Sequence, residues 1–558
     1  MNADFANDND ILVRDDADAT ELKAHHLDGV AVQLLKKATD GHTILIPQPN
    51  EDPKNPLNWS ARKKWGILLS VSLAAVRVTD YGSATGAVTL ISQGLDWGLD
   101  PNYVNHSQAG NVMMLGTGGI AAVILSNSFG RLPTLFWMLL LSVVFAIMCS
   151  ASEDFHTFMA ARILNGFFSA PAQATGMMFI KDLFFFHEQV RKVNLWTAFF
   201  ILSPYVGPIL SAAVLSANPK NVKLWHWSFG EFTILSGIAT ILVIIFADET
   251  WYCRKIPAEA QPARGSRLAR LTGFRRPGPK TSYTVRESCE RMVYTFFKIP
   301  VFSICISFGI TFAWVIGINT TLPIFLVPPP PVGYGFGIKQ ISFFYFTPVT
   351  GVVIGEISGH YLNYWIQQYF VRRHGSWVPE WRLWINWIAI PLLVSGLVIL
   401  GFALERNYHY MIASLGWGMF VCGIMIATTG YYQYLLDCYP ADAGEVSAWI
   451  NLFRVIGGFI ISYTMVDFVT ANGGIKAFSI LAGLTAAGFL VIPVLQIFGA
   501  RFRKISGHVP HADPSFSSTF ASQGFVTGSA ANTEDLEHKP HGDVEMIGRI
   551  DTNGNALA

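Results

Sequence analysis

The sequence predicts an all-α membrane protein with twelve spanning helices arranged as two sets of six. Three observations predict it. The chain of 558 residues is 51% hydrophobic and only 14% charged, against about 25% charged in soluble domains, and its mean hydropathy is +0.37. Its charges gather in the links between long uncharged stretches. Those stretches have the length a bilayer demands, since about 20 residues rising about 1.5 Å each cross roughly 30 Å of hydrocarbon.

By that ruler the first half holds spans at 66–90, 108–128, 132–151, 156–180, 193–216 and 227–247. The second half holds spans at 301–326, 341–365, 383–404, 409–434, 446–469 and 476–498. Between them, Glu249 to Lys298 carries eleven Lys and Arg against four Asp and Glu. The chain thus divides into an N-terminal tail (1–64), a six-helix bundle (65–248), a basic central loop (249–299), a second bundle (300–499) and a C-terminal tail (500–558). Further basic clusters, at Arg62 to Lys64, Arg131, Arg191 and Lys192, Arg372 and Arg373, and Arg501 to Lys504, all fall on one side when the count is even. The positive-inside rule then places both termini in the cytoplasm.

The acidic, polar run from Met1 to about Lys37 lacks the basic start and apolar core of a cleavable signal, so the first span is expected to act as signal anchor. Both tails have the polar composition of disordered segments. None of the six cysteines shows metal-ligand spacing, and no disulfide framework is expected. On the opposite side, Asn105-His106-Ser107 is a glycosylation sequon in a loop free of Lys and Arg between Gln93 and His106.

Ionisable residues inside spans cost roughly 2.5–3.5 kcal/mol each on insertion scales, so they pair, face water or work. Arg77 and Asp80 lie three residues apart midway along the first span, on one face of a continuous helix. Two readings stand: a structural ion pair, or a proton or cation site at Asp80 whose affinity Arg77 sets. Tyr81, Asn111, Gln173, Asn319, Thr320, Tyr431, Tyr432 and Gln433 fall in facing parts of several spans. They are candidates to line a substrate cavity, with helix–helix hydrogen bonding as the plainer role. An aromatic pocket with few polar groups suits amphiphilic organic molecules, and cations through their attraction to ring faces. Glycine and proline interrupt the fifth span at Ser203 to Pro208, the eighth at Thr347-Pro348 and the eleventh at Gly457-Gly458, where helices bend or pack closely. No Walker A sequence and no His-Glu-x-x-His is present. Energy is therefore expected from an ion gradient, with no cofactor and no metal.

Short motifs then narrow the class. Asp52-Pro53-Lys54-Asn55-Pro56-Leu57-Asn58-Trp59 before the first span, Arg162-Ile163-Leu164-Asn165-Gly166 in the fourth, Gly207-Pro208 in the fifth, Asp248-Glu249-Thr250 with Arg254 after the sixth, and Arg454 with Gly457 in the eleventh together resemble fungal major facilitator transporters. The likeness runs over roughly residues 45–505 and is to the twelve-span drug:proton antiporters. It implies the major facilitator fold of two six-helix bundles, with Arg162 tuning a proton-carrying carboxylate at Asp80. It also implies gating roles for Gly130, Arg131, Asp182, Gly207, Pro208, Glu249, Arg254, Glu356 and Arg454. The chain departs from the family where Asn127 and Ser128 stand at the usual acid and base of the loop between spans two and three, which implies a weaker charge-based gate there. Ser211 and Ala212 likewise replace glycines after Gly207-Pro208.

The expected function is proton-coupled efflux of a small organic compound, a drug or secondary metabolite, by alternating access. Uptake of an organic cation such as a polyamine is the second reading, and a non-transporting sensor the third; an enzyme is not expected. The expected partners are the small-molecule substrate, protons and the lipid bilayer, not nucleic acid. A monomer in the plasma membrane, or alternatively the vacuolar membrane, is the expected state.

Overall fold

The computed structural model describes residues 50–252, 259, 261, 264–274, 283–330, 333–374 and 377–507. Within them lie nineteen α-helices, an arrangement consistent with twelve passes: α1 (Ala61–Val78), α2 (Asp80–Trp97), α3 (Pro101–Phe129), α4 (Arg131–Ala151), α5 (Phe155–Ser169), α6 (Pro171–Ala174), α7 (Gly176–Leu183), α8 (Phe186–Ala217) and α9 (Trp225–Phe246) form the first half. Two short helices, α10 (Arg267–Thr272) and α11 (Val285–Phe296), lie in the central loop. The second half comprises α12 (Ile299–Leu326), α13 (Ile338–Phe344), α14 (Phe346–His374), α15 (Asn386–Glu405), α16 (Tyr410–Cys438), α17 (Ala443–Asn472), α18 (Gly474–Phe489) and α19 (Val491–Ser506). Ten helical stretches are long and apolar enough to cross a membrane. The first and fourth passes, segmented as α1–α2 and as α5–α6–α7, are not in that set.

The first break changes what sequence spacing had implied. Helix α1 ends at Val78, Thr79 leaves helical geometry with ψ −109°, and α2 starts at Asp80. A helix end inside hydrocarbon must find partners for its freed carbonyls, and three hydroxyls supply them. Thr79 donates to the Ala75 carbonyl, Ser203 to Val76 at 2.6 Å and Ser236 to Arg77 at 3.1 Å. Arg77 and Asp80 therefore sit on two different helices, and the shared face expected of a continuous span does not exist.

The fourth pass breaks where Pro171 removes an amide donor, and the next turn ends at Thr175. The Trp196 indole donates to the Ala172 carbonyl at 3.3 Å, and Thr175 Oγ1 to the Pro171 carbonyl at 2.7 Å.

The described part of the central loop contains two helices. Helix α11 opens with a capping box between Thr284 and Glu287 and packs against both α3 and α17. The two halves meet where α3 lies along α17 and α8 lies along α13 and α14. Both termini of the described chain lie at the end that carries the central loop, as twelve passes require.

Close approach of α8 to α2 depends on Gly207, whose added Cβ would stand 2.6 Å from the Tyr81 carbonyl oxygen. Gly207→Ala should therefore lower the thermal-unfolding midpoint, an overpacking cost of about 1–3 kcal/mol. Gly237→Ala, which meets nothing within 4 Å, should leave the midpoint unchanged.

Candidate functional site

The break in the first pass places Asp80 in the first turn of α2, at the positive end of a helix dipole. Its carboxylate is buried and takes a two-pronged ion pair from Arg454 of α17, with Nη1 to Oδ2 at 3.0 Å and Nη2 to Oδ1 at 3.3 Å. The pair joins the two halves of the molecule. Gln173 of α6 donates to the same carboxylate at 3.3 Å. Arg454 is completely buried and also donates to Asn451 Oδ1 from Nε at 3.2 Å and from Nη2 at 2.9 Å. Its guanidinium lies 4.7 Å from the Phe312 ring centre and 5.8 Å from that of Phe200. Tyr432 stands edge-on to both Trp196 and Phe200, and Tyr205 edge-on to Trp417.

A bidentate arginine–carboxylate pair is among the stronger polar contacts available. Its net stabilisation is small once desolvation is counted, yet removing one partner of such a pair costs about 3–5 kcal/mol. The arrangement is thus a buried ion pair that ties the two halves together.

Neither arginine expected beside Asp80 is its partner. Arg162 is fully buried in the first half and donates to the Ser83 carbonyl at 2.7 Å, the Gly82 carbonyl at 3.5 Å and Ser107 Oγ at 3.3 Å, between the rings of Phe158 and Phe229. Arg77 faces the Tyr81 ring, 5.5 Å from its centre. The Tyr81 hydroxyl donates to Glu231 Oε2 of α9 at 2.6 Å, which turns it away from the junction of the halves. Glu231 Oε1 is buried without a hydrogen bond among the described residues, so a second carboxylate enters the first half. Sequence reasoning passed over it because it lies near one end of its span.

The remaining cavity candidates scatter. Asn111 donates to the Arg162 carbonyl at 2.6 Å, joining α3 to α5. Tyr431 shares a hydrogen bond with Ser307 at 3.1 Å. Gln433 lies toward the central-loop end, accepting from Arg382 at 3.1 Å and donating to the Val190 carbonyl at 3.0 Å. Asn319 is buried, and its carbonyl accepts from the Tyr345 hydroxyl at 3.5 Å. The Thr320 side chain and Arg254 lie outside the described residues.

The gating candidates gather at the central-loop end. Arg131 pairs with Asp182 at 3.2 Å, and Thr250 donates to the same Asp182 oxygen at 3.1 Å. Gly130, at φ 111°, offers no side chain to cap α4. Glu249 takes that role, accepting from the amides of Arg131 and Leu132 at 3.2 Å each. The motif from Asp52 to Trp59 docks here too, with Tyr252 donating to Asp52 at 3.1 Å. Asp248 pairs with Lys63 at 2.6 Å, Arg270 at 3.1 Å and Arg264 at 3.6 Å. Burial opposes the Asp248 charge, but the Lys63 hydrogen bond and the three cations outweigh it and hold the carboxyl below its usual range.

The second half has a matching set that sequence reasoning missed. Arg382 pairs with Asp437 at 2.6 Å and Arg503 with Glu380 at 2.9 Å. Arg382 and Glu380 sit near the start of the ninth pass, where hydrophobic length alone draws the eye.

Across the halves, Asn127 donates to Glu445 at 3.1 Å. Arg291 of α11 binds Glu445 and Asp442 at 2.9 Å each, and Lys298 binds Asp442 at 2.9 Å. The asparagine at the usual acid position is therefore complementary: the carboxylate sits on α17 and the cation on α11. Glu356 accepts from Asn194 at 2.9 Å, a further link between halves.

The opposite end is joined as well. Asn105 is buried in α3 and donates to the Ser462 carbonyl at 3.0 Å. The side-chain amide of the sequon asparagine is thus packed between helices of the two halves. Ser342 donates to the Ile209 carbonyl at 2.8 Å. The two halves are thus in contact at both ends, with an ion pair between them.

The family model described as Major Facilitator Superfamily matches residues 71–462. The chain is 24% identical to the MFS-type transporter hepF of Aspergillus oryzae over 74% of this chain and 84% of that protein. It is 25% identical to the efflux pump radE of Floropilus chiversii, over 81% and 83% respectively. To the cycloheximide resistance protein of Candida maltosa it is 21% identical, over 87% and 89%. Among solved structures, the proton:xylose symporter XylE superposes with a TM-score of 0.59 at 15% identity, covering 79% of this chain and 96% of that one. At that identity the likeness concerns the fold.

Two predictions test the central-loop end. A carboxyl held below its usual range contributes stability above about pH 4, lost as pH falls through its lowered value. The thermal-stability gap between the unmutated chain and Asp248→Asn should therefore be full near pH 7 and close on strong acidification. Separately, Asn127→Asp sets two carboxylates against each other and should lower the unfolding midpoint, while adding Glu445→Gln to that variant should restore most of the loss.

Proposed function

The chain belongs to the major facilitator superfamily, and from that membership we propose that it exports a small organic compound, a drug or secondary metabolite, in exchange for protons. It is a multi-pass membrane transporter rather than an enzyme. The observation that carries the proposal is the buried Asp80–Arg454 pair between the two halves. Protonation of Asp80 removes the charge that holds Arg454, weakens the pair and lets the halves separate at one end. Release of the proton restores the pair and closes the site. Asn451 and Gln173, already bonded to Arg454 and Asp80, keep each group solvated by protein dipoles while the other moves.

Direction is supported by relatives named as efflux pumps and by the aromatic surroundings of the pair, which suit amphiphilic molecules. The organic-cation uptake reading is weaker because it needs Asp80 free to meet the substrate, and Arg454 already neutralises it. The sensor reading has no support in the relatives, which are named as transporters and pumps. Glu231, hydrogen-bonded to Tyr81 beside Arg77, is a second candidate to carry a proton within the first half. The basic-rich end of the bundle is assigned to the cytoplasm by its charge, with both termini there. We place the protein in the plasma membrane as a monomer.

Expression in a yeast strain stripped of its own drug pumps, with cycloheximide and a panel of fungal metabolites as probes, should give resistance to at least one compound. In liposomes, an imposed pH gradient should drive that compound's transport. Asp80→Asn should reduce gradient-driven transport by roughly tenfold or more, equivalent to about 1.4 kcal/mol or more, and Arg454→Gln should behave alike. Undiminished coupled transport in Asp80→Asn would remove this carboxylate from the mechanism.

A further inference from the structure

Helix α14 ends, on its outward face, in a concavity of about 580 Å³ lined by Tyr364, Trp365, Gln368, Tyr369, Arg372 and Arg373. The spacing of three and four residues puts these side chains on one face of the helix. They do not face the other half of the molecule. Tyr364, Trp365 and Tyr369 are each more than half exposed, so they meet the surrounding bilayer.

The same face changes character along its length. Toward the middle of the pass it presents Ile354 and Ile357, both more than half exposed. Tyr361, Tyr364 and Trp365 follow, and the arginines come last. Ile357 and Arg372 are fifteen residues apart in one helix, which is roughly 22 Å at about 1.5 Å per residue. That order of apolar, aromatic, then cationic is the order of a phospholipid from acyl chain to glycerol region to phosphate.

Among the described residues, no carboxylate pairs with the charges at the end of this face. No acidic side chain lines the concavity. Arg373 donates to the Tyr369 hydroxyl at 2.8 Å, and neither arginine has an ion pair among the described residues. The one glutamate of α14, Glu356, is engaged with Asn194 in the other half. The end of the helix is itself anchored: Phe370 stacks on Trp381 at 4.9 Å with an interplanar angle of 10°, and His374 stacks on the same indole at 4.9 Å. An aromatic concavity with two guanidiniums that meet no carboxylate among the described residues matches a phosphate that carries a further negative charge, because arginine forks pair with phosphate oxygens in two-pronged fashion.

We propose that this concavity is a binding site for one anionic phospholipid, its headgroup on Arg372 and Arg373 and an acyl chain along Ile354 and Ile357. The site lies on the central-loop end of the second half, away from the Asp80–Arg454 pair, so its occupancy is independent of how transport is coupled.

The test uses the full chain in nanodiscs of neutral phosphatidylcholine, doped at low mole fraction with brominated phosphatidylserine or brominated phosphatidylcholine. Quenching of Trp365 is read as the difference between the unmutated chain and Trp365→Phe. Brominated phosphatidylserine should quench this signal several-fold more efficiently than brominated phosphatidylcholine, and the preference should vanish in the double variant Arg372→Gln, Arg373→Gln. Equal quenching by the two lipids in the unmutated chain would overturn the proposal whatever the variants do. Loss of the preference on adding inorganic phosphate, at an ionic strength matched with chloride, would assign the arginines to a soluble anion and overturn it as well.

Discussion

A charge inside hydrocarbon must be answered by another group, and in this protein the answer comes from the other half of the chain. Asp80 and Arg454 are 374 residues apart in sequence and share one bidentate contact at the junction of the two bundles. Much of the surrounding architecture serves that contact. The first pass breaks at Thr79, which sets Asp80 in the first turn of a new helix. Hydroxyls of Thr79, Ser203 and Ser236 take up the carbonyls that the break leaves free. Gly207 lets α8 approach closely enough to hold the segment in place.

The central-loop end repeats one design with different residues in each half. In the first half Arg131 meets Asp182 while Glu249 caps α4; in the second, Arg382 meets Asp437 while Arg503 meets Glu380. Between the halves the charges are redistributed rather than weakened. Glu445 and Asp442 supply the acids, Arg291 and Lys298 the bases, and Asn127 adds a neutral donor. An aspartate at 127 would oppose Glu445, so the asparagine there and the helix α11 that brings Arg291 form one arrangement. The departure from the family pattern, which by itself implied a weaker gate, has its compensation 164 residues further along the chain, at Arg291.

Much of the fold was legible in the residues because bilayer thickness imposes a fixed length on apolar segments and because basic loops mark one side. The residues of the polar cluster around Arg131, Asp182 and Glu249 were singled out through local motifs that resemble a known family. The site was only partly legible. Asp80 stood out as a charge within a span and Arg454 only through the family resemblance, while spacing offered Arg77 as the nearest partner of Asp80 and the family pattern offered Arg162. Gln173 does reach Asp80, whereas Asn111 and Tyr81 make helix–helix contacts within the first half. Glu231, Arg382, Asp437, Glu380, Asp442 and Arg291 carried no motif, and nothing local distinguishes them from solvated charges at helix ends.

What the sequence by itself determined was the helical membrane fold, the end at which charge accumulates and the family resemblance, because each depends on residues close together in the chain. The tertiary structure decided which charges meet. A helix break at Thr79 rotates Asp80 away from Arg77, and pairing across the bundle junction depends on how two separate six-helix bodies pack. Neither the break nor the packing is written in the spacing of neighbouring residues, since both are settled by which distant groups satisfy the polar atoms that the hydrocarbon leaves without water.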